Sequence, residues 1–328
     1  MRYVDMHCDT LMNALLNVGK GADLYEMSQG MQDLKRMKQG DYLAQFFAIF
    51  IVPENSYRER LKREPIDENE YIDACIEIFY NSIEAHSDII AAAGNADDIL
   101  ENQKKGLMSA VLTMEDGCAV RGRMENLERF YDAGVRALSL TWNGANCFGA
   151  PNSADPEIMK KGLTDFGKDA IVYMQDKGML VDVSHLSDGG FYDVAKICRK
   201  PFAATHSNCR ALCPHQRNLT DEMIRILGNA GGVAGMNFEP TFLNKDVTCK
   251  DSRAEMIAKH ARHMADVGGV ECVGMGSDFD GISGNLEISG GDKIGLLEAA
   301  LQKEHFSGSE IDKIVSKNVL RVMKDTMK

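Results

Sequence analysis

Eight short apolar runs, each followed by a longer segment of polar and helical character, recur from one end of the chain to the other. This alternation limits the fold more than any other feature of the sequence. The runs are Tyr3–Asp9, Ala44–Val52, Leu107–Glu115, Val135–Trp142, Met179–His185, Phe202–His206, Gly232–Phe238 and Cys272–Asp278. Several are almost uninterrupted, as in Ala44-Gln45-Phe46-Phe47-Ala48-Ile49-Phe50-Ile51-Val52. A strand covered on one face alternates apolar with polar side chains. One covered on both faces reads apolar throughout, as in a parallel sheet or barrel.

The intervening segments carry helix signals. Between about Asp67 and Ala93, residues Tyr71, Ile72, Cys75, Ile76, Phe79, Tyr80 and Ile83 recur at three- and four-residue steps, with Gly94 placed to stop the helix. A second helix is expected from about Thr164 to Lys177, ending at Gly178. Thr220 before Asp221 and Glu222 pairs a capping hydroxyl with acids at the positive end of the helix dipole. Ser187-Asp188 and Asp251-Ser252 read as similar starts.

Strand and helix alternating without reversal predict an α/β protein, a (β/α)₈ TIM-type barrel forming a single domain over residues 1–328. A doubly wound open sheet is the competitor, but the Gly-rich phosphate-binding turn after the first strand is missing. The charged segment Glu54–Asp67, preceded by Pro53 and holding Pro65, reads as a long loop over the barrel mouth. It suits a flap that closes over substrate and an inert surface excursion equally well.

Charge narrows the partners. The chain carries 37 basic and 49 acidic side chains, a formal charge of −12, with no Lys/Arg run to reverse it locally. Nucleic acid and anionic membrane are therefore not expected partners. No run of about 18 apolar residues is present to span a bilayer, and Met1-Arg2-Tyr3-Val4 leads straight into polar residues rather than a secretion signal. Nine cysteines without small-domain spacing read as reduced thiols, and the expectation is a cytoplasmic protein.

In such a barrel the active site lies at the carboxyl ends of the strands, so the residues there matter most. His7 and Asp9 are two apart on the first run, hence on one face and about 6.6 Å apart along it. The third run ends at Glu115, the fifth at His185, the sixth at His206 and the eighth at Asp278. A lone His in such a place is more often a hydrogen-bonded structural residue, and a lone acid more often a helix cap. Six of them converge on one mouth if the barrel closes. Unpaired carboxylates gathered there repel one another, and a bound cation is the simplest compensation.

Two ions fit better than one: His7 and Asp9 come from the first strand, His185 and His206 from the opposite side, and Glu115 can bridge. Nitrogen and oxygen ligands without thiolate suit zinc, with manganese, iron or cobalt as alternatives. Two ions roughly 3.5–4 Å apart share a water and bring its pKa toward neutrality. Asp278 is then a proton shuttle between that water and the leaving amine, its other roles being a cap or a further ligand.

Other patterns carry less. His206, Cys209, Cys213 and His215 have an uncommon spacing for a structural zinc site, and using His206 there would strip the mouth. His260 and His263, beside Lys259 and Arg262, read as a solvated helix face. Gly274-Met275-Gly276 runs into Ser277-Asp278 and fails as a phosphate cradle. No Gly-x-Ser-x-Gly nucleophile elbow is present.

Taken together, Asp5-Met6-His7-Cys8-Asp9, Met114-Glu115-Asp116-Gly117, Asp182-Val183-Ser184-His185, Thr205-His206-Ser207, Arg217-Asn218 and Gly276-Ser277-Asp278-Phe279-Asp280-Gly281 resemble the membrane (renal) dipeptidase family, zinc dipeptidases of the amidohydrolase group. The resemblance runs from about residue 3 to about residue 320. It implies His7 and Asp9 on one zinc, His185 and His206 on the other, Glu115 bridging, and Asp278 near the bridging water. It also implies that Arg217, by its residues alone a surface side chain, receives the substrate's C-terminal carboxylate, a pairing that suits a guanidinium.

A homodimer, tolerance of a D-residue at the second position of the dipeptide and some β-lactam hydrolysis are further implications. The resemblance breaks at the fourth run, where Trp142 stands in place of the histidine that polarises the scissile carbonyl in mammalian members. Oxyanion stabilisation then falls to Asn143, Trp142 or a zinc ion, or the substrate is a different one. The chain ends in Met323-Lys324-Asp325-Thr326-Met327-Lys328 rather than a lipid-anchor tail. The expected function is zinc-dependent hydrolysis of dipeptides by a metal-bridged hydroxide. The alternatives are an amidohydrolase acting on N-acyl amino acids or lactams, and a metal-binding protein without catalysis.

Overall fold

The computed structural model of the chain describes residues 2–328 other than Arg60, which lies within the segment Glu54–Asp67, and Val247. Its strands are β1 (Tyr3–Asp5), β2 (Tyr42–Phe50), β3 (Ile90–Ala92), β4 (Met108–Glu115), β5 (Ala137–Ser139), β6 (Leu180–Asp182), β7 (Ala203–Ala204), β8 (Val233–Met236), β9 (Asp251–Ser252), β10 (Val273–Met275) and β11 (Asn285–Leu286). Parallel pairs run in the order β2, β1, β10, β8, β7, β6, β5, β4. Pairing of β2 with β4, from Ala44↔Ser109 to Phe50↔Glu115, closes the ring. The eight-stranded parallel barrel with helices around it is the (β/α)₈ fold that the alternation predicted.

The apolar runs are strands because both of their faces are covered: β2 and β4 are buried at every position. Neighbouring residues face opposite ways. Ala44, Phe46, Val111, Ala137, Leu180, Ala203 and Val233 pack together with Val319, Val322 and Met323 of the C-terminal helix, whereas Phe47, Ile49, Leu112, Leu138 and Val181 pack in the larger cluster with the surrounding helices. The first set fills the barrel. The amphipathic helix Asn318–Thr326 lays its apolar face on that set.

The helix starts at Ser187 and Thr220 stand as expected, each hydroxyl accepting a backbone N–H of the first turn. Helix Asp165–Lys177 is capped by Thr164 and stops at Gly178, whose φ of 92° is one that glycine adopts without strain. Two expectations fail and a third holds in part. The helix after Asp67 ends at Ala85, and Ile90–Ala92 forms β3 on β4, ahead of β5 on the same edge. A short apolar run fits both periods, and the neighbouring strand decided. Asp251-Ser252 is a strand paired with β11, and the helix starts at Ala254. Within Glu54–Asp67, residues Glu54–Glu59 are helical, and Ser56 and Leu61 do overhang the barrel mouth. Among the described residues no helix is long and apolar enough to cross a membrane.

Candidate metal centre and active site

The strands at the mouth stop short of the residues that matter. The regular strands β1, β6 and β10 end at Asp5, Asp182 and Met275, and His7, Asp9, His185 and Asp278 lie on the irregular segments beyond, where Cys8 still bridges to Phe279. His185 and Asp278 have φ of 67° and 65°. A left-handed backbone at a non-glycine residue costs about 1–2 kcal/mol, so something must hold these turns.

Two buried aspartates do so. Asp5 Oδ1 accepts the N–H groups of His7 (3.3 Å) and Ser277 (2.8 Å), and Oδ2 accepts the Ser277 hydroxyl (2.5 Å). This ties the turn after β1 to the turn after β10. Asp182 Oδ1 accepts the N–H groups of Ser184 (2.9 Å) and Thr205 (2.9 Å), joining the turns after β6 and β7. Burial pushes the Asp5 carboxyl up to about 6, against the Ser277 and His7 hydrogen bonds. Neither aspartate was singled out from the sequence. The signal was there: an acid stands two before His7 and three before His185.

The turns bring all six expected side chains together. Glu115 sits between two groups: Oε1 is 2.9 Å from His185 Nε2 and 3.4 Å from His206 Nε2, while Oε2 is 3.3 Å from His7 Nε2. His7 Nε2 is 3.7 Å from Asp9 Oδ2 and 3.8 Å from Asp278 Oδ1. Ligand atoms of His7, Glu115 and His206 lie within 4.8 Å of one another, as do those of His7, Asp9 and Asp278. The second grouping keeps the reading of Asp278 as a ligand in play beside that of a proton shuttle. Its Oδ2 accepts Asn237 Nδ2 at 2.8 Å.

Electrostatics sort the imidazoles. Although burial opposes it, the facing Glu115 and Asp9 hold His7 protonated well above its usual range. Burial, with Arg217 nearby, takes His185 down to about 4, and burial with His7 and Arg217 lowers His206 well below its usual value. Both are therefore neutral and carry a lone pair. Glu115 is held well below the usual carboxylate range by His7, His185 and His206 despite its burial. Burial and neighbouring acids raise Asp9 to about 6, and burial with Asp9 and Glu115 raises Asp278 to about 8.

A divalent cation fits this set on the atoms themselves. The nitrogens His185 Nε2 and His206 Nε2 face each other at 3.1 Å. Asp9 Oδ1 is buried without any hydrogen-bond partner, a cost of about 1–3 kcal/mol unless something binds it, and His7 Nε2 meets Glu115 and Asp9 by charge without a well-formed hydrogen bond. The tautomer of His206 is prepared. The Thr205 hydroxyl donates to Asp182 Oδ2 (2.6 Å) and accepts the His206 Nδ1 proton (2.8 Å), which leaves the Nε2 lone pair facing the cluster. Gly281 makes room: a Cβ there would lie 2.1 Å from Asp9 Oδ2 and 2.6 Å from Asp278 Oδ1.

The cluster floors a cavity of about 770 Å³. Arg217 lines it and is buried, not a surface residue; it donates to Ser207 Oγ (2.6 Å) and to the His206 carbonyl (2.9 Å), leaving its Nε–H unpaired. Trp142 lines it half-buried, edge-on to Phe50 with centroids 5.0 Å apart, and Asn143 lines it exposed. The small structural zinc site does not assemble among the described residues: Cys209 Sγ donates to the His260 carbonyl and Cys213 Sγ to that of Thr241. His260 corrects the solvated-face expectation. It is fully buried, accepting Cys209 N–H at Nδ1 and meeting the Leu243 carbonyl at Nε2, because its helix turns that side to the barrel wall.

Three imidazoles and three carboxylates at the carboxyl mouth of a closed parallel barrel define a metal-dependent hydrolase. The chain belongs to the membrane dipeptidase family, peptidase family M19, whose sequence model matches residues 1–328. The members are metallo-dipeptidases, and this chain is a metal-dependent dipeptidase rather than a passive metal binder. It is similar to an uncharacterised protein from the pqqA 5′ region of Klebsiella pneumoniae, 36% identical over 240 residues, 70% of this chain and 87% of the relative. An uncharacterised dipeptidase of Schizosaccharomyces pombe is 31% identical over 308 residues, 90% of this chain and 72% of its own. A metallo-peptidase of Rhodobacter sphaeroides, solved with a phosphinate mimic of the dipeptide L-Ala-D-Ala, superposes with a TM-score of 0.88 at 26% identity, covering 99% of each chain.

Proposed function

We propose that the chain hydrolyses the peptide bond of free dipeptides, including those with a C-terminal D-residue, with two zinc ions at the barrel mouth. His7 and Asp9 would hold one ion and His185 and His206 the other, with Glu115 offering an oxygen to each. The observation that carries this reading is the division of Glu115, one oxygen toward His185 and His206 and the other toward His7. When bound, the ions supply Lewis acidity to the scissile carbonyl and lower the pKa of water beside it. The phosphinate-bound relative supports a dipeptide whose second residue is D.

The protein's own groups do the rest. Arg217 pairs with the substrate carboxylate through the N–H groups that Ser207 and the His206 carbonyl leave free, in a buried setting where such a pair is strong. That anchor sets the scissile bond over Glu115. Asp278, with Oδ2 fixed by Asn237 and Oδ1 toward the cluster, takes a proton from the attacking water and returns it to the leaving amine. Trp142, in the cavity where a family histidine is expected, favours one second reading, an amide substrate with an acylated amino terminus or a lactam; its indole donates one hydrogen bond but carries no charge.

The test is a panel of L,L- and L,D-dipeptides, tripeptides, N-acetyl dipeptides and a β-lactam, given to zinc-loaded and chelator-treated protein, with products read by mass spectrometry. Metal-dependent cleavage of free dipeptides is expected, with Arg217→Ala raising KM for them by about a hundredfold through loss of a buried charge pair. Cleavage of acylated substrates alone refutes the dipeptide reading.

A further inference from the structure

We propose that Phe50, Val52, Leu61 and Trp142 form the pocket for the side chain of the substrate's N-terminal residue, and that this chain selects dipeptides whose first residue is large and apolar. The inference rests on Arg217 taking the carboxylate. Around the ring β1, β2, β4, β5, β6, β7, β8, β10, Arg217 follows β7, while Phe50 ends β2 and Val52 comes two residues later. Three strands lie between β2 and β7 whichever way round the ring is counted, so the two stand across the mouth from each other. Glu115 and the imidazoles lie between. A dipeptide held at Arg217 with its scissile bond over Glu115 therefore extends its first residue toward β2.

What waits there is apolar. Phe50 pairs in register with Glu115, and Ile51 N donates to the Glu115 carbonyl at 3.1 Å, so this wall starts at the reaction centre itself. The Trp142 ring stands edge-on to Phe50 at 5.0 Å and 6.2 Å from the His185 ring. Leu61, in the segment that overhangs the mouth, lines the same cavity while 40% exposed, an unusual state for a large aliphatic side chain at a polar site. An apolar side chain entering here removes its own surface and that of Leu61 from water. A polar one gives up its hydration to four side chains of which only the indole N–H can hydrogen-bond. The Arg217 side of the cavity is more polar: His215, Gln216, Glu239 and Thr241 line it beside a single phenyl ring, Phe242, 5.8 Å from the Arg217 guanidinium.

The experiment compares kcat/KM of the zinc-loaded enzyme for L-Leu-Gly, its near-isostere L-Asn-Gly, Gly-Gly and Gly-L-Leu. L-Leu-Gly should exceed L-Asn-Gly by about tenfold or more, the discrimination an apolar pocket can give. The advantage should follow the first residue, so Gly-L-Leu gains little over Gly-Gly. Trp142→Ala should bring the L-Leu-Gly to L-Asn-Gly ratio toward one, while Trp142→Phe keeps most of it. Leu61→Ser, at an exposed position that the fold tolerates, should lower the same ratio by a few-fold. Equal rates on L-Leu-Gly and L-Asn-Gly, or a ratio that both Trp142→Ala and Leu61→Ser leave intact, overturn the pocket alone. Cleavage of none of the four, or an Arg217→Ala variant with unchanged KM, overturns the dipeptide reading beneath it.

Discussion

Thr205→Val removes one hydroxyl from a nearly isosteric side chain, and its effect should fall on metal binding rather than on folding. In the wild type that hydroxyl links Asp182 Oδ2 (2.6 Å) to His206 Nδ1 (2.8 Å), and His206 is fully buried. With valine the Nδ1 proton has no partner, a cost of about 1–3 kcal/mol. The metal-free protein can avoid that cost by moving the proton to Nε2, where Glu115 Oε1 lies 3.4 Å away. The metal-bound protein cannot, because a ligating Nε2 must keep its lone pair. Asp182 retains the Ser139 hydroxyl and the Ser184 and Thr205 N–H groups, so both turns stay in place. The penalty therefore appears as metal affinity about 10–100-fold weaker. Titration against a chromophoric chelator measures it, with scanning calorimetry of the metal-free protein alongside. Thr205→Ser should restore wild-type affinity. Unchanged affinity in Thr205→Val, or a metal-free protein that melts far lower while its affinity is intact, would refute the tautomer argument.

Gly281→Ala should produce a folded protein that retains little metal, because the new Cβ would sit 2.1 Å from Asp9 Oδ2 and 2.6 Å from Asp278 Oδ1; elemental analysis at normal metal content would refute it. The metal-free protein should lose stability between about pH 6.5 and 8. Asp278, raised to about 8 by burial and its neighbouring acids, and His7, held above its usual value by Glu115 and Asp9, keep protons in the fold that the unfolded chain has already released. The folded state binds more protons in that window, so stability falls as pH rises. The lowered His185 and His206 act with the opposite sign and only below about 6.5. Calorimetric melting points of chelated protein across this window test the sign, and a rising melting point would sink it.

The barrel was legible because its strands are buried on two faces and several helices carry their own stop or start, as at Thr164, Gly178 and Thr220. Both signals are local. The strand lengths were not: Tyr3–Asp9 read as one run, yet the regular strand ends at Asp5, and the chain beyond is held by the Asp5 carboxylate together with a single bridge, Cys8 to Phe279. The same sequence signal cannot tell an apolar residue covered by a helix from one covered by a strand, hence β3 within an expected helix.

By itself the sequence determined the fold class and the chemistry of the mouth, since few side chains other than imidazoles and carboxylates bind a divalent cation through nitrogen and oxygen. Only the tertiary structure decided how they act. Whether Glu115 can serve two nitrogen groups, whether His206 presents Nε2, and whether Arg217 is buried are set by turns after β1, β6, β7 and β10 that lie far apart in sequence. Phe50 and Trp142, 92 positions apart in the chain, become one wall only because the barrel closes. Ligand identity is a property of single residues, whereas tautomer, burial and the distance across a pocket are properties of pairs, and those exist only once the chain is folded.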